Sequence, residues 1–113
     1  MRIYVSGPYR GKSFTEVWHN IRAATKVSVA LMKKGHSVYC PHWNWFVETQ
    51  TDEFNWFDYL RQDLDWVEVS DALFLVGHSP GADRELAFAE KLGKRVFRRV
   101  CDVPDCVEGD RDG

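Results

Sequence analysis

An open parallel α/β sheet with helices on both faces is the fold this sequence predicts, and three observations predict it. Short β-prone runs alternate with helical patterns in the order β-α-β-α-β-α-β, joined by short connections. One run, Ala72-Leu73-Phe74-Leu75-Val76, is apolar without a break, as suits a strand covered on both faces. The 113 residues give room for one domain and one core, not two.

The first strand is Ile3-Tyr4-Val5-Ser6, stopped by Gly7-Pro8. Ser13 and Glu16 form S-x-x-E, the capping-box signature of a helix start. From there Val17, Ile21, Ala24 and Leu31 recur at helical spacing, and Gly35 supplies the stop. The second strand, Ser37-Val38-Tyr39-Cys40, ends at Pro41. Residues 42–54, HWNWFVETQTDEF, read as a loop rich in aromatic and polar groups. A second helix is predicted over 55–69, with Trp56, Leu60, Leu64 and Val67 on one stripe. After the third strand, Ser79-Pro80-Gly81 turns the chain, and a third helix runs from Ala82 to Leu92 and stops at Gly93. The fourth strand is expected over 95–100. Residues 1–100 are thus expected to form the domain, and 101–113 an acidic, loose tail.

Right-handed crossovers favour the strand order 2-1-3-4, a Rossmann- or flavodoxin-like arrangement. Ligands of such sheets bind outside the carboxyl ends of the strands, where the order reverses. Here that point lies between the first and third strands. The loops SGPYRGKS (6–13) and GHSPGAD (77–83) are therefore the two halves of the expected site.

Composition narrows the function. Hydrophobic residues are 44% and charged residues 28% of the chain, the balance of an ordinary soluble globular protein. The net charge of −2 gives no overall field for a nucleic-acid backbone. No apolar run approaches the roughly 20 residues of a membrane helix. Three cysteines and the lack of a secretory leader predict a cytoplasmic chain with reduced thiols. Cys101 and Cys106 have no second pair at zinc spacing, so no metal site is expected.

The opening loop is not a Walker A loop. Gly7 and Gly11 enclose three residues where that loop needs four, and the third strand ends in Gly77-His78 without an acid. Two readings stay open. Gly7 and Gly11 allow close backbone approach, Arg10 offers a guanidinium fork, and the helix start adds partial positive charge, so the loop can hold one phosphate. Alternatively it is a surface turn with Arg10 and Lys12 in water.

Two carboxylates carry the clearest sign of chemistry. Asp63 sits between Leu60 and Val67, on or beside the buried stripe, where a carboxylate needs a partner or a raised pKa. Glu85 is placed in the first turn of the third helix, where the helix N-terminus favours its charged form. Each has an ordinary alternative: Asp63 as a cap or ion-pair partner, Glu85 as a residue type common in first turns. As a pair they suit cleavage of a glycosidic bond by a retaining route, one attacking the anomeric carbon and the other serving the leaving group. The cluster Trp43, Trp45 and Phe46, with His42, reads either as a lid stacking on a base or as a hydrophobic anchor or dimer interface. His78 reads as a turn residue beside the site.

The run DLDWVEVSDALFLVGHSPGADRELAFAEKLGKRV, 63–96, resembles the core of the nucleoside 2-deoxyribosyltransferase-like superfamily. That group includes the 2′-deoxynucleoside 5′-phosphate N-hydrolases and small phage-encoded relatives. Tyr4, Gly7, Arg10 and Gly11 match its opening Y-x-x-G-x-x-R-G pattern. The resemblance implies cleavage or transfer at the N-glycosidic bond of a deoxynucleoside or its 5′-monophosphate. It implies Glu85 as nucleophile, Asp63 orienting or protonating near sugar and base, and Tyr4 positioning Glu85. It also implies that Gly7, Arg10, Gly11, Ser79 and Gly81 surround the sugar and phosphate. No metal or organic cofactor is implied, and members are dimers or larger. Pro8 stands where the phosphohydrolase branch has Ser, which removes a hydroxyl and an N–H from the loop. An NAD or other ribosyl-nucleotide glycohydrolase and a nucleotide-binding protein without turnover are the alternatives.

Overall fold

The computed structural model describes residues 1–106. Four parallel strands, β1 (Arg2–Ser6), β2 (Ser37–Tyr39), β3 (Ala72–Leu75) and β4 (Arg95–Phe97), form one sheet in the order β2-β1-β3-β4. Tyr4 is paired with Tyr39 on one side and Leu73 on the other. Between the strands run α1 (Phe14–Lys33), a 3-10 turn (Pro41–Asn44), α2 (Trp45–Gln50), α3 (Trp56–Val69) and α4 (Pro80–Lys91). The predicted fold class and strand order are those observed.

The two-residue period of the strands sorts their side chains into two cores. Ile3, Val5, Ala72 and Phe74 face one way and pack with Ala24 and Leu31 of α1. Tyr4, Leu73 and Leu75 face the other way and pack with Val67 of α3 and Ala82 and Ala89 of α4. Each of these apolar side chains, once fully buried, contributes roughly 1.5–3 kcal/mol if of Val, Leu or Ile size.

Local chemistry sets the helix ends. Ser13 accepts from Glu16 N–H at the start of α1, and Asn55 and Asp58 form a reciprocal capping box at the start of α3. Ser79 caps α4 by accepting from Ala82 N–H, with Pro80 at the first helical position. Gly35 (φ 93°) and Gly93 (φ 73°) follow α1 and α4 in the left-handed conformation that lets a chain leave a helix cheaply.

Apart from one-residue shifts at element ends, four differences from the expectations stand out. The expected loop at 42–54 is largely helical, because Pro41 starts a 3-10 turn that continues into α2. The third predicted helix begins at Pro80 rather than Ala82, since Ser79 is its cap and not part of a turn. The fourth strand stops at Phe97, and a 3-10 turn, Val100–Asp102, follows it. Residues 101–106, expected to be loose, are anchored through Val103 and Cys106 although Cys101, Asp102, Pro104 and Asp105 are exposed. Val103 is buried in the α1-side core, Lys34 Nζ donates to Val103 O, and Cys106 N–H donates to Lys34 O. The remainder of the expected tail, 107–113, lies outside the described residues.

Candidate active site

The carboxyl ends of β1 and β3 open into a cavity of about 300 Å³. Gly7 brings the two post-strand loops together. A Cβ there would stand 2.9 Å from Val76 Cβ, so any larger residue would push the loops apart. The 3-10 turn and α2 form one wall, contributing Pro41, His42, Asn44 and Glu48. The start of α3 contributes Trp56, Tyr59, Leu60 and Asp63, and α4 contributes Ser79 to Ala82 and Glu85.

Glu85 is the best-held group in this cavity. It is 5% exposed, and both its oxygens are bonded: Tyr4 Oη donates to Oε2 at 2.8 Å and Ser6 Oγ to Oε1 at 2.7 Å. Tyr4 and Ser6 are two apart on β1, so the strand period puts both hydroxyls on the same face. Burial raises the Glu85 pKa, and the hydrogen bonds from Ser6, then Tyr4, then Asp63 oppose that rise. Glu85 is the sixth residue of α4, past the first turn, which corrects the expectation that the helix N-terminus holds it ionised. The two hydroxyl donors, rather than the helix end, are what favours its charged form against burial.

Asp63 lies beside it with different surroundings. Burial first, and then the Glu85 charge, push its pKa up to about 8. Its Oδ1 is buried without a hydrogen-bond partner. Of the two adjacent carboxyls, the one with two hydroxyl donors is better placed to carry the charge and the one with an orphaned oxygen to carry the proton. Tyr4 is held neutral, its pKa raised well above 10 by burial and then by the Glu85 charge, so it remains a donor.

The structure brings together most of the residues expected from the sequence. Gly7, Arg10, Asp63, Ser79, Gly81 and Glu85 line the cavity, and Tyr4 lies directly beneath Glu85. Gly11 does not line it; a Cβ at Gly11 would meet Glu16 Cβ at 2.5 Å, so this glycine serves the packing of the α1 start. Trp43 and Trp45 do not line it either. Trp43 donates through Nε1 to Thr25 on α1, and Trp45 packs with Phe14, Trp18 and Phe46. The aromatic rings that do border the cavity are Tyr9, His42, Trp56 and Tyr59. Trp56 carries the Arg84 guanidinium 5.2 Å from its ring centre.

Ser6, which holds the second oxygen of Glu85, was not singled out from the sequence; the signal available was its place two residues after Tyr4 on the same strand. His42, read in a cluster that was either a lid or an anchor, serves as an anchor. It is buried, burial lowers its pKa, and Nε2 donates to Pro8 O at 2.8 Å in the tautomer that Pro8 requires. His78 lies outside the cavity lining and pairs with Asp83 at 2.7 Å. Among the described residues no group of three His, Cys, Asp or Glu side chains gathers as a metal site would need. No helix among them is long and apolar enough to cross a membrane.

Comparison with solved structures places this architecture. A 2-deoxyribosyltransferase from the psychrotolerant bacterium Bacillus psychrosaccharolyticus matches over 97% of this chain and 95% of its own, with a TM-score of 0.64 and 19% identity. A 2-desoxiribosyltransferase from Leishmania mexicana matches over 84% of this chain and 61% of its own, with 20% identity; its TM-score of 0.49 is too low to bear on the fold. No curated protein matches the sequence. The chain therefore has a nucleoside 2-deoxyribosyltransferase-like fold. Residues 1–98 match the model of the domain of unknown function DUF4406, and the chain belongs to that family.

Proposed function

We propose that this protein cleaves or exchanges the N-glycosidic bond of a 2′-deoxynucleoside or its 5′-monophosphate, with Glu85 as nucleophile. The observation that carries the reading is the pairing of two buried carboxyls in one cavity with unlike surroundings: Glu85 under two hydroxyl donors, Asp63 beside it with a buried oxygen that has no hydrogen-bond partner. Opposed environments of this kind separate a nucleophile from an acid on one scaffold.

In the proposed reaction a Glu85 oxygen attacks C1′ while the bond from C1′ to the base nitrogen breaks, and its electron pair leaves with the base. Asp63 gives its proton to that base. A deoxyribosyl ester on Glu85 results. Water, or the nitrogen of a second base, then attacks C1′, the ester bond breaks, and Glu85 recovers its carboxylate. Asp63 takes up the proton released by the incoming nucleophile. Tyr4 and Ser6 hold the carboxylate during attack and stabilise it again as it departs. The likeness in fold to a bacterial 2-deoxyribosyltransferase supports the same chemistry. A cavity of about 300 Å³ is at the small end of ligand pockets and suits one nucleoside better than a dinucleotide such as NAD.

The test is incubation with a panel of nucleosides and 5′-monophosphates, with and without a free acceptor base, and identification of products by mass spectrometry. Base release or exchange that disappears in Glu85→Ala supports the reading. Ligands that bind and are recovered unaltered would point to sequestration without turnover.

A further inference from the structure

One carboxylate of the cavity has no part in the proposed reaction. Glu48 reaches the cavity from α2, away from the Glu85–Asp63 pair in sequence and on a separate element. Taking the cavity as a nucleoside site, as the proposed function does, we infer that Glu48 is a specificity-determining residue. It accepts a hydrogen bond from a neutral donor of the ligand and disfavours a 5′-phosphate, so that the deoxynucleoside is bound in preference to its monophosphate.

Three sets of observations lead there. First, Glu48 is fixed. Tyr9 Oη donates to Glu48 Oε2 at 2.7 Å, and the Tyr9 ring lies edge-on to His42, which is itself bonded to Pro8 O. Tyr9 is kept as a donor, because burial and then the bond to Glu48 raise its pKa. The other oxygen, Oε1, has no hydrogen bond or ion pair among the described residues, and an ionised carboxylate can only accept.

Second, the charges of the cavity do not favour a dianion. Arg10 is the one Lys or Arg that lines it, and Glu48 and Glu85 stand against that single cation. His42 adds no positive charge, since burial holds it neutral.

Third, several of the donors that could cradle a phosphate at the two helix starts are engaged or absent, although Gly81 N–H at the start of α4 keeps no acceptor among the described residues. At α1, Lys12 N–H donates to the Glu16 carboxylate and Glu16 N–H to Ser13 Oγ. At α4, Ala82 N–H donates to Ser79 Oγ, and Pro80 has no N–H. Pro8 removes a further N–H from the first loop.

The experiment is calorimetric titration of the Glu85→Gln protein, which does not consume its ligand, with 2′-deoxyadenosine and 2′-deoxycytidine and with their 5′-monophosphates. The nucleosides are expected to bind at least about tenfold more tightly than the monophosphates. Adding Glu48→Gln should narrow that ratio to less than about threefold, while Glu48→Asp, which keeps the charge, retains most of it. Circular dichroism checks that each variant is folded. Equal or tighter binding of the monophosphates, a ratio unmoved by Glu48→Gln, or no binding of either ligand class overturns the assignment. Base release is measured separately on the unaltered protein. Preferential nucleoside binding without base release would sink the proposed reaction and leave Glu48 standing; base release with a monophosphate preference would do the reverse.

Discussion

Tyr4 Oη lies 2.8 Å from Glu85 Oε2, joining residues 81 apart in sequence across the junction of β1 and α4. Ser6 takes the other oxygen of the same carboxylate. A side chain held at both oxygens has little freedom left, and its charge is supported inside a site from which burial would otherwise drive it. Charge-assisted hydrogen bonds of this kind contribute about 1.5–3 kcal/mol each.

Tyr4→Phe therefore has a directional outcome. With one donor lost, the Glu85 pKa rises further, and the acid limb of the pH–rate profile moves to higher pH. The rate near neutrality is expected to fall by about 10- to 100-fold. Ser6→Ala should act in the same direction, and an acid limb that stays in place in both variants would show that these hydroxyls do not hold the charge.

Asp63 should define the alkaline limb. Its raised pKa of about 8 means that the protonated acid is lost as pH climbs through that value, so base release is expected to decline there. Asp63→Asn keeps the shape but cannot give a proton. The expected result is a rate lower by about 10²- to 10⁴-fold and a profile without the alkaline decline. Substrates whose bases leave readily without protonation should lose less.

The same residue predicts how stability changes with pH. In the unfolded chain Asp63 ionises in the usual carboxylate range, whereas in the folded protein it holds its proton to about pH 8. The folded state thus binds the extra proton between those values, and the stability from this group, full at low pH, is lost as pH rises through about 8. Glu85, also raised, adds to the same trend. Asp63→Asn should unfold at a higher temperature than the unaltered protein at pH 8, by about 1–3 kcal/mol in stability, with the gap closing toward pH 4. Thermal melts at the two pH values read it directly.

Aromatic substitutions separate the cavity from the outer cluster. Trp56 borders the cavity and Trp45 does not. Trp56→Ala is expected to raise KM for nucleosides by about tenfold, the scale of one lost stacking contact. Trp45→Ala should leave KM within about twofold and act on the melting temperature instead.

The sheet was legible because its evidence is local and repeated: apolar runs of strand length, a capping sequence at Ser13 and Glu16, glycines at 35 and 93. The order of the strands followed from the handedness of crossovers. The short α2 was not legible, since six residues carry less than two turns of periodicity and its aromatic content suggested a loop. That error misplaced Trp43 and Trp45, whose partners on α1 are set by how the segment folds back. Asp63 was found because a carboxylate beside an apolar stripe is costly unless used or paired, and Glu85 because it follows the loop after the third strand, at the expected crevice. The environment of Glu85 was misjudged by the two residues that separate Pro80 from Ala82 at the helix start. Ser6 was overlooked because a small polar residue ending a strand is ordinary until the helix opposite is known.

The strap formed by residues 103–106 has a practical side. The family match ends at residue 98, yet Val103 fills a place between the sheet and α1, and His36, 6% exposed, donates through Nε2 to Pro104 O. A version of the gene trimmed to the matched segment would leave an open hydrophobic notch and an unanswered Nε2–H on His36 at the same edge. Such a polypeptide should be recovered mainly in inclusion bodies, whereas one carried on through Cys106 should remain in the supernatant.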